Sequence, residues 1–276
     1  MTGVARAPVV VGVDGSPRAL AAVRVAATEA ALRGRPLRIV HAGTPAASRP
    51  ARAFLAEAKQ LAHTIAPQVA ATTSLIDGAP MAVLLEQCRH AALLVLGDRG
   101  LGGFIDLPIG SVAVRTAAGG TCPVLVVRGG RHDGGPVIAG VDGSPASAPA
   151  LEFAAPEAAL HGTELVALHA WTGDSGTGST ATPPAVCCTE DEASKILAEA
   201  VAGLPERYPG LRIRRHAEHG SARHLLTDWS HSAQLIVVGD RELAGLPPGS
   251  VGRHLIHHAA CPTAVVHPAL STARRG

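Results

Sequence analysis

Short runs of β-branched and aliphatic residues alternate with longer Ala-rich stretches of helical period along the whole chain. In the first half the apolar runs predict strands near 9–14, 37–42, 70–76, 92–97 and 123–128. The stretches between them predict helices near 17–33, 51–65, 80–90 and 111–118. Ser16-Pro17 reads as an N-cap followed by Pro at the first helical position, and Gly34 as the stop. Unbroken apolar strands such as Leu93-Leu-Val-Leu96 belong to a parallel sheet covered on both faces. Strand and helix in strict alternation mean right-handed crossovers and a doubly wound α/β fold.

The pattern occurs twice. Val9-Val-Val-Gly-Val-Asp-Gly-Ser-Pro17 returns as Val137-Ile-Ala-Gly-Val-Asp-Gly-Ser-Pro145, and Ala92-Leu-Leu-Val-Leu-Gly-Asp-Arg99 as Gln234-Leu-Ile-Val-Val-Gly-Asp-Arg241. Gly110-Ser-Val112 is answered by Gly249-Ser-Val251, and Thr121-Cys-Pro-Val124 by Ala260-Cys-Pro-Thr263. The order is the same in both halves, which marks a duplication. The Gly-rich, polar stretch Gly129 to Pro136 reads as the linker, giving domains at 1–130 and 131–276.

Composition narrows the function classes. Hydrophobic residues at 47% against 17% charged supply packed cores, while aromatics at 2% give little stacking surface for single-stranded nucleic acid. A formal charge of +2 gives no electrostatic reason to expect nucleic acid or an acidic membrane as partner. Met1 to Pro8 has no signal-like apolar region and no run is long enough to span a bilayer, so the expected location is cytoplasmic. Five cysteines are an odd number in a long chain, against a disulfide framework. Cys122 and Cys261, each before a Pro and a β-branched run, read as small buried hydrophobes.

Ligands of an open parallel sheet bind beyond the carboxyl ends of the strands, where strand order reverses. The first strand delivers Gly12 and then Asp14-Gly15-Ser16 to that edge. The fourth delivers Gly97-Asp-Arg-Gly-Leu-Gly-Gly103, and Gly110-Ser111 then opens a helix. Glycines let backbone approach an anion, and the first N–H groups of a helix are unpaired donors at its positive end. These are the ingredients of a phosphate cradle. A P-loop would need Gly-Lys-Ser/Thr, but Lys59 precedes Gln60 and Lys195 precedes Ile196. A dinucleotide fingerprint would need G-x-G-x-x-G where the chain has Asp-Gly-Ser-Pro.

The run Gly97-x2-Gly100-x9-Gly110-Ser111 resembles the signature of ATP-binding universal stress proteins. The resemblance covers nearly the whole chain as a tandem member. It implies a five-stranded sheet in the order 3-2-1-4-5 in each half, ATP between strands one and four, and a homodimer. By analogy Asp14 sits beside ribose and phosphates, and backbone near Val40 meets the adenine. Gly97, Arg99, Gly100, Gly102 and Gly103 with Gly110, Ser111 and Val112 wrap the phosphates. Mg²⁺ or Mn²⁺ would accompany the triphosphate, with Asp14 as the nearest carboxylate.

The second copy keeps Gly140, Asp142, Gly239, Gly249 and Ser250 but has Glu242 where the signature has its second Gly. Six residues then separate Glu242 from Gly249, against nine between Gly100 and Gly110. A carboxylate repels phosphate and a shorter loop cannot wrap it in the same way, so a second nucleotide site is expected to be residual or altered.

Other features read more plainly. His254, His257 and His258 fall at i, i+3 and i+4 on a predicted helix, so at least two share a face, but no acidic or Cys partner is evident at metal spacing, and an exposed polar stripe is the simpler reading. Adjacent Cys187-Cys188 follow a Gly/Ser/Thr/Pro-rich stretch and read as loop thiols. Asp98 and Asp240 after the fourth strands read as loop caps rather than general bases. The function expected is therefore an ATP-responsive stress regulator with an unknown protein partner and little or no turnover. A slow ATPase, an adenylyl-transfer enzyme and a nucleotide-free dimerising scaffold are the alternatives.

Overall fold

The computed structural model describes residues 6–43, 48–100, 111–129, 133–145, 147–172, 189–240 and 251–267. The chain divides into two compact units between Arg128 and Gly129. The first unit runs β1 (Val9–Gly12), α1 (Pro17–Leu32), β2 (Leu37–Ala42), α2 (Ser48–Ile65), β3 (Ala71–Ile76), α3 (Pro80–Cys88), β4 (Leu93–Gly97), α4 (Ser111–Gly119) and β5 (Val124–Val127). The second runs β6 (Val137–Gly140), α5 (Ala148–Leu160), β7 (Leu165–Trp171), α6 (Glu190–Ala200), α7 (Leu204–Arg207), β8 (Ile213–His219), α8 (Ala222–Trp229), β9 (Leu235–Gly239), α9 (Val251–His258) and β10 (Thr263–Val266).

All pairings within each unit are parallel. In the first, β1 lies between β2 and β4, with Val9 opposite both Leu37 and Leu93, and β3 and β5 flank that centre. In the second, β6 takes the same central place between β7 and β9, flanked by β8 and β10. Central strands are buried along their length, Val9 to Val11 and Leu93 to Leu96 among them, because helices cover both faces. Each such Val or Leu removed from water contributes on the order of 1.5–3 kcal/mol.

Helix α1 shows how sequence makes the layer. Ser16 has extended dihedrals and its hydroxyl accepts the Ala19 N–H at 3.1 Å, Pro17 supplies a preset φ, and Gly34 at φ +58° ends the turn. The buried stripe is Ala19, Ala22, Val23, Ala26, Ala27 and Ala30, mostly one carbon in side-chain length, which brings the helix axis close to the sheet. The approach is so close that a Cβ on Gly97 would stand 2.9 Å from the Arg18 carbonyl. Gly12 is similarly confined, its added Cβ falling 2.7 Å from Leu96.

One sequence expectation is corrected. Cys122 is buried, but it is disulfide-bonded to Cys88 at the end of α3, the Cα atoms 5.3 Å apart. Spacing gave no sign of the pair because 34 residues separate the two, and only the crossover through β4 returns the chain to α3. Cys261, the matching position of the second unit, is buried without a disulfide. Cys187 and Cys188 lie outside the described residues.

On α9, His254 and His258 stack with ring centroids 4.4 Å apart, and His224 of α8 meets His254 edge-on at 6.3 Å. Burial, and then the nearby charge of His258, Arg223, His224 and His257, lowers the His254 pKa below its usual value.

Two outcomes are expected. Closing a loop of 34 residues reduces the entropy of the unfolded chain. Reduction should therefore cost the first unit about 3–4 kcal/mol, read as a lower urea midpoint in dithiothreitol that Cys88→Ala/Cys122→Ala reproduces. Equal midpoints with and without reductant would refute the cross-link's contribution. For His254, the unfolded chain takes up a proton near pH 6.5 while the folded chain resists it, so stability is present above that pH and is lost as pH falls through the depressed folded value. Trp171 and Trp229 are the chain's two tryptophans and both lie in the second unit, so their emission follows its unfolding. Acidification from about pH 7.5 to 5.5 should lower that unit's urea midpoint, and His254→Gln should lessen the drop. An undiminished drop in the variant would assign the effect to other groups.

Candidate functional site

At the carboxyl end of β1 the chain leaves the sheet through an Asx turn. Asp14 Oδ1 accepts the Ser16 N–H at 3.0 Å, and Gly15 sits at φ +87°. A side chain at Gly15 would be strained by that φ and would also meet Phe54 of α2 at 2.9 Å. Phe54 stands edge-on to His41 of β2, centroids 4.8 Å apart. His41 Nδ1 lies 2.7 Å from the Val13 carbonyl. A carbonyl oxygen only accepts, so Nδ1 carries the proton and the ring anchors the residue before Asp14.

The end of β4 folds toward the same point. Ser16 Oγ donates to the Arg99 carbonyl at 3.5 Å, and a Cβ on Gly100 would collide with Asp14 Oδ2. The structure thus brings Asp14, Arg99 and Gly100 together across the point where strand order reverses. Gly12 and Gly97 reach the same edge, but as packing glycines beneath Leu96 and the start of α1. Val40 is buried and its carbonyl accepts the Val13 N–H at 2.9 Å, so that group already serves the sheet. In a parallel ladder the next backbone facing the same side is two residues on, at Ala42, beyond the last residue of β1. Ser111 and Val112 begin α4. Gly102, Gly103 and Gly110 lie outside the described residues, as do Glu242, Gly249 and Ser250 of the second copy.

Asp98 and Asp240, which the sequence reads as loop caps, are both buried beside a basic side chain. Asp98 is buried at 2% exposure, with Arg18 Nε at 3.7 Å from its Oδ1. Burial lowers the pKa of Arg128, just past β5, from its ordinary value, with the attraction of Asp98 opposing the shift and the repulsion of Arg99 and Arg18 adding to it. Asp240 is equally buried and faces His267 Nδ1 at 3.2 Å. Both aspartates therefore meet a basic side chain at the end of their strand.

The second unit repeats the turn with different surroundings. Asp142 Oδ1 accepts the Ser144 N–H at 2.9 Å, and His169 Nδ1 meets the Val141 carbonyl at 2.7 Å. Gly143 at φ +74° packs under Ile196 in place of an aromatic ring. Gly140 lies under Val238 and Leu226, and Gly239 is the last residue of β9. Trp171 and His219, at the ends of β7 and β8, stack edge-on at 4.8 Å.

Sequence reasoning missed His41, His169, Phe54, Arg18 and Arg128. The histidines carried a usable signal, since each falls 27 residues after its aspartate (41 − 14 and 169 − 142). The others carried none, because their meeting depends on where strands end.

With this geometry in hand, comparison with known proteins is informative. A family model described as the universal stress protein family matches residues 6–128 and 135–267. A universal stress protein of Mycolicibacterium smegmatis is 33% identical over 291 residues, 94% of this chain and 97% of its own length. One from Mycobacterium tuberculosis is 32% identical over 295 residues, 95% and 97% of the two chains. The crystal structure of a universal stress protein from Archaeoglobus fulgidus shares the fold, with a TM-score of 0.72 at 17% identity over 95% of this chain and 97% of that one.

Proposed function

Because the chain belongs to the universal stress protein family, we propose that it is an ATP-binding regulator of the stress response whose first unit holds the nucleotide, with little or no turnover. The observation that carries this reading is the approach of Gly100 to Asp14, close enough that even a methyl group would displace the carboxylate. That approach joins the turn after β1 to the start of the Gly97–Ser111 signature, the two segments that a nucleotide between strands one and four would touch. In this assignment Asp14 meets the ribose and phosphates, and Arg99, Gly100, Gly102, Gly103, Gly110, Ser111 and Val112 take the phosphates. Adenine recognition moves from Val40 to the backbone at Ala42, because the Val40 carbonyl is already bonded to Val13.

Mg²⁺, or Mn²⁺ in its place, fits the donor set, since hard cations take oxygen ligands and Asp14 brings a carboxylate to the Gly100 side of the turn. Such a cation would neutralise triphosphate charge that a lysine helps to neutralise in P-loop proteins. The second unit keeps the Asp142 turn, but Glu242 and its shorter loop make it a weaker or altered site. Association into a homodimer and contact with an unidentified protein partner complete the regulator reading. Among the described residues no helix is long and apolar enough to cross a membrane.

Titration calorimetry should give near one ATP per chain at modest ligand concentration, tighter with Mg²⁺ than with EDTA. Gly110→Ala with Ser111→Ala should weaken binding more than about tenfold, the loss of one charge-assisted contact being on the order of 1.5–3 kcal/mol. Gly100→Ala should abolish the strong event, whereas Gly239→Ala should leave it nearly unchanged. Two equal sites would overturn the asymmetry, equal affinity in EDTA would remove the cation, and no binding by a folded protein would leave the scaffold alternative standing. Turnover of ATP at rates typical of enzymes would favour the ATPase alternative.

A further inference from the structure

We propose that Arg18 and Arg128, gathered around the buried Asp98, are the polyphosphate-selecting residues of the first unit and set its preference for ATP over AMP. The inference rests on the nucleotide reading above and goes beyond it, since neither arginine belongs to the loop signature.

Three guanidinium-bearing residues converge at the carboxyl ends of β1, β4 and β5. Arg18 opens α1 one residue after Pro17, Arg99 follows β4, and Arg128 follows β5. Arg18 Nε reaches Asp98 Oδ1 at 3.7 Å while half its side chain stays exposed, at 52%. The Asp98 backbone N–H donates to the Val127 carbonyl at 3.2 Å, which ties the residue before Arg128 to the backbone of Asp98. Arg128 is half-buried, and its Nη1 is buried with no hydrogen-bond partner.

Among the described residues the charges at this edge do not balance: Arg18, Arg99 and Arg128 bring three positive charges against the carboxylates of Asp14 and Asp98, an excess of one (3 − 2). Like charges held together away from water raise the energy of the site; burial chiefly lowers the Arg128 pKa, Asp98 opposes the shift, and Arg99 and Arg18 add to it. A polyphosphate beside Asp14 and Gly100 would relieve it. A monophosphate carries less charge and extends less far from the ribose.

The second unit has lost these charges. Ala146 stands where Arg18 does, one residue after the recurring Pro, and His267 stands where Arg128 does, one residue after the last strand. In sequence, Arg241 is the arginine that recurs beside Asp142 and Asp240, one positive charge against two negative (1 − 2). Loop completeness and edge charge therefore point the same way. The edge charge is the part that discriminates by phosphate number.

The test is calorimetric titration of the full chain with ATP and with AMP, for the wild type, Arg18→Gln, Arg128→Gln and Arg128→Lys. Each Gln variant should weaken ATP roughly tenfold and AMP less than about twofold, one charge-assisted contact being lost only from the longer ligand. Arg128→Lys, which keeps the charge, should recover most of the ATP affinity. Equal weakening of both nucleotides, with a lowered urea midpoint, would reduce Arg128 to a structural partner of Asp98 and overturn the proposal, as would unchanged ATP affinity. A folded wild type that binds neither nucleotide would instead overturn the nucleotide reading itself.

Discussion

Parallel strands covered on both faces have nowhere to put a charge except at their ends, and the polar chemistry of this protein follows from that constraint. Within β1, β4 and β5 every strand residue but the terminal glycines is buried and apolar, while Asp14, Asp98, Arg99 and Arg128 come one or two residues after the strand ends. The edge that collects them is the one where strand order reverses and the connections part to opposite faces. Small residues on α1 and Gly97 on β4 then allow helix and strand to close on one another, which sets how near Asp14 and Gly100 come.

The two units provide an internal comparison on a shared scaffold. Both keep the Asx turn and the imidazole bonded to the carbonyl just before the aspartate, at 2.7 Å in each. These contacts shape the end of the central strand whatever lies beyond it. What differs is the surroundings, where Phe54 gives way to Ile196 under the turn and His267 stands in place of Arg128 after the last strand. Duplication has preserved the backbone geometry of the turn while the side chains around it have changed.

The cysteines show a similar division between copies. Cys122 and Cys261 occupy matching places before a Pro-led strand, and Cys122 is disulfide-bonded to Cys88 of α3 whereas Cys261 is in no disulfide. The first unit thus gains a covalent constraint between a helix end and a strand start.

Much of this was legible in the residues by themselves. Period and punctuation located β1, β2, α1 and β4 to within about two residues, and recurrence of Val-Asp-Gly-Ser-Pro exposed the duplication, because those signals are local and strong. The glycine spacing from Gly97 onward marked the edge of interest for the same reason. Other facts needed the fold. The Cys88–Cys122 bond, the bond from His41 to Val13, the engagement of the Val40 carbonyl and the meeting of Arg18, Asp98 and Arg128 each join residues from different elements. Sequence determined which elements form and which turns carry polar groups. Only the tertiary structure decided which of those groups meet, because crossover connections place residues 28 to 83 positions apart within hydrogen-bond reach.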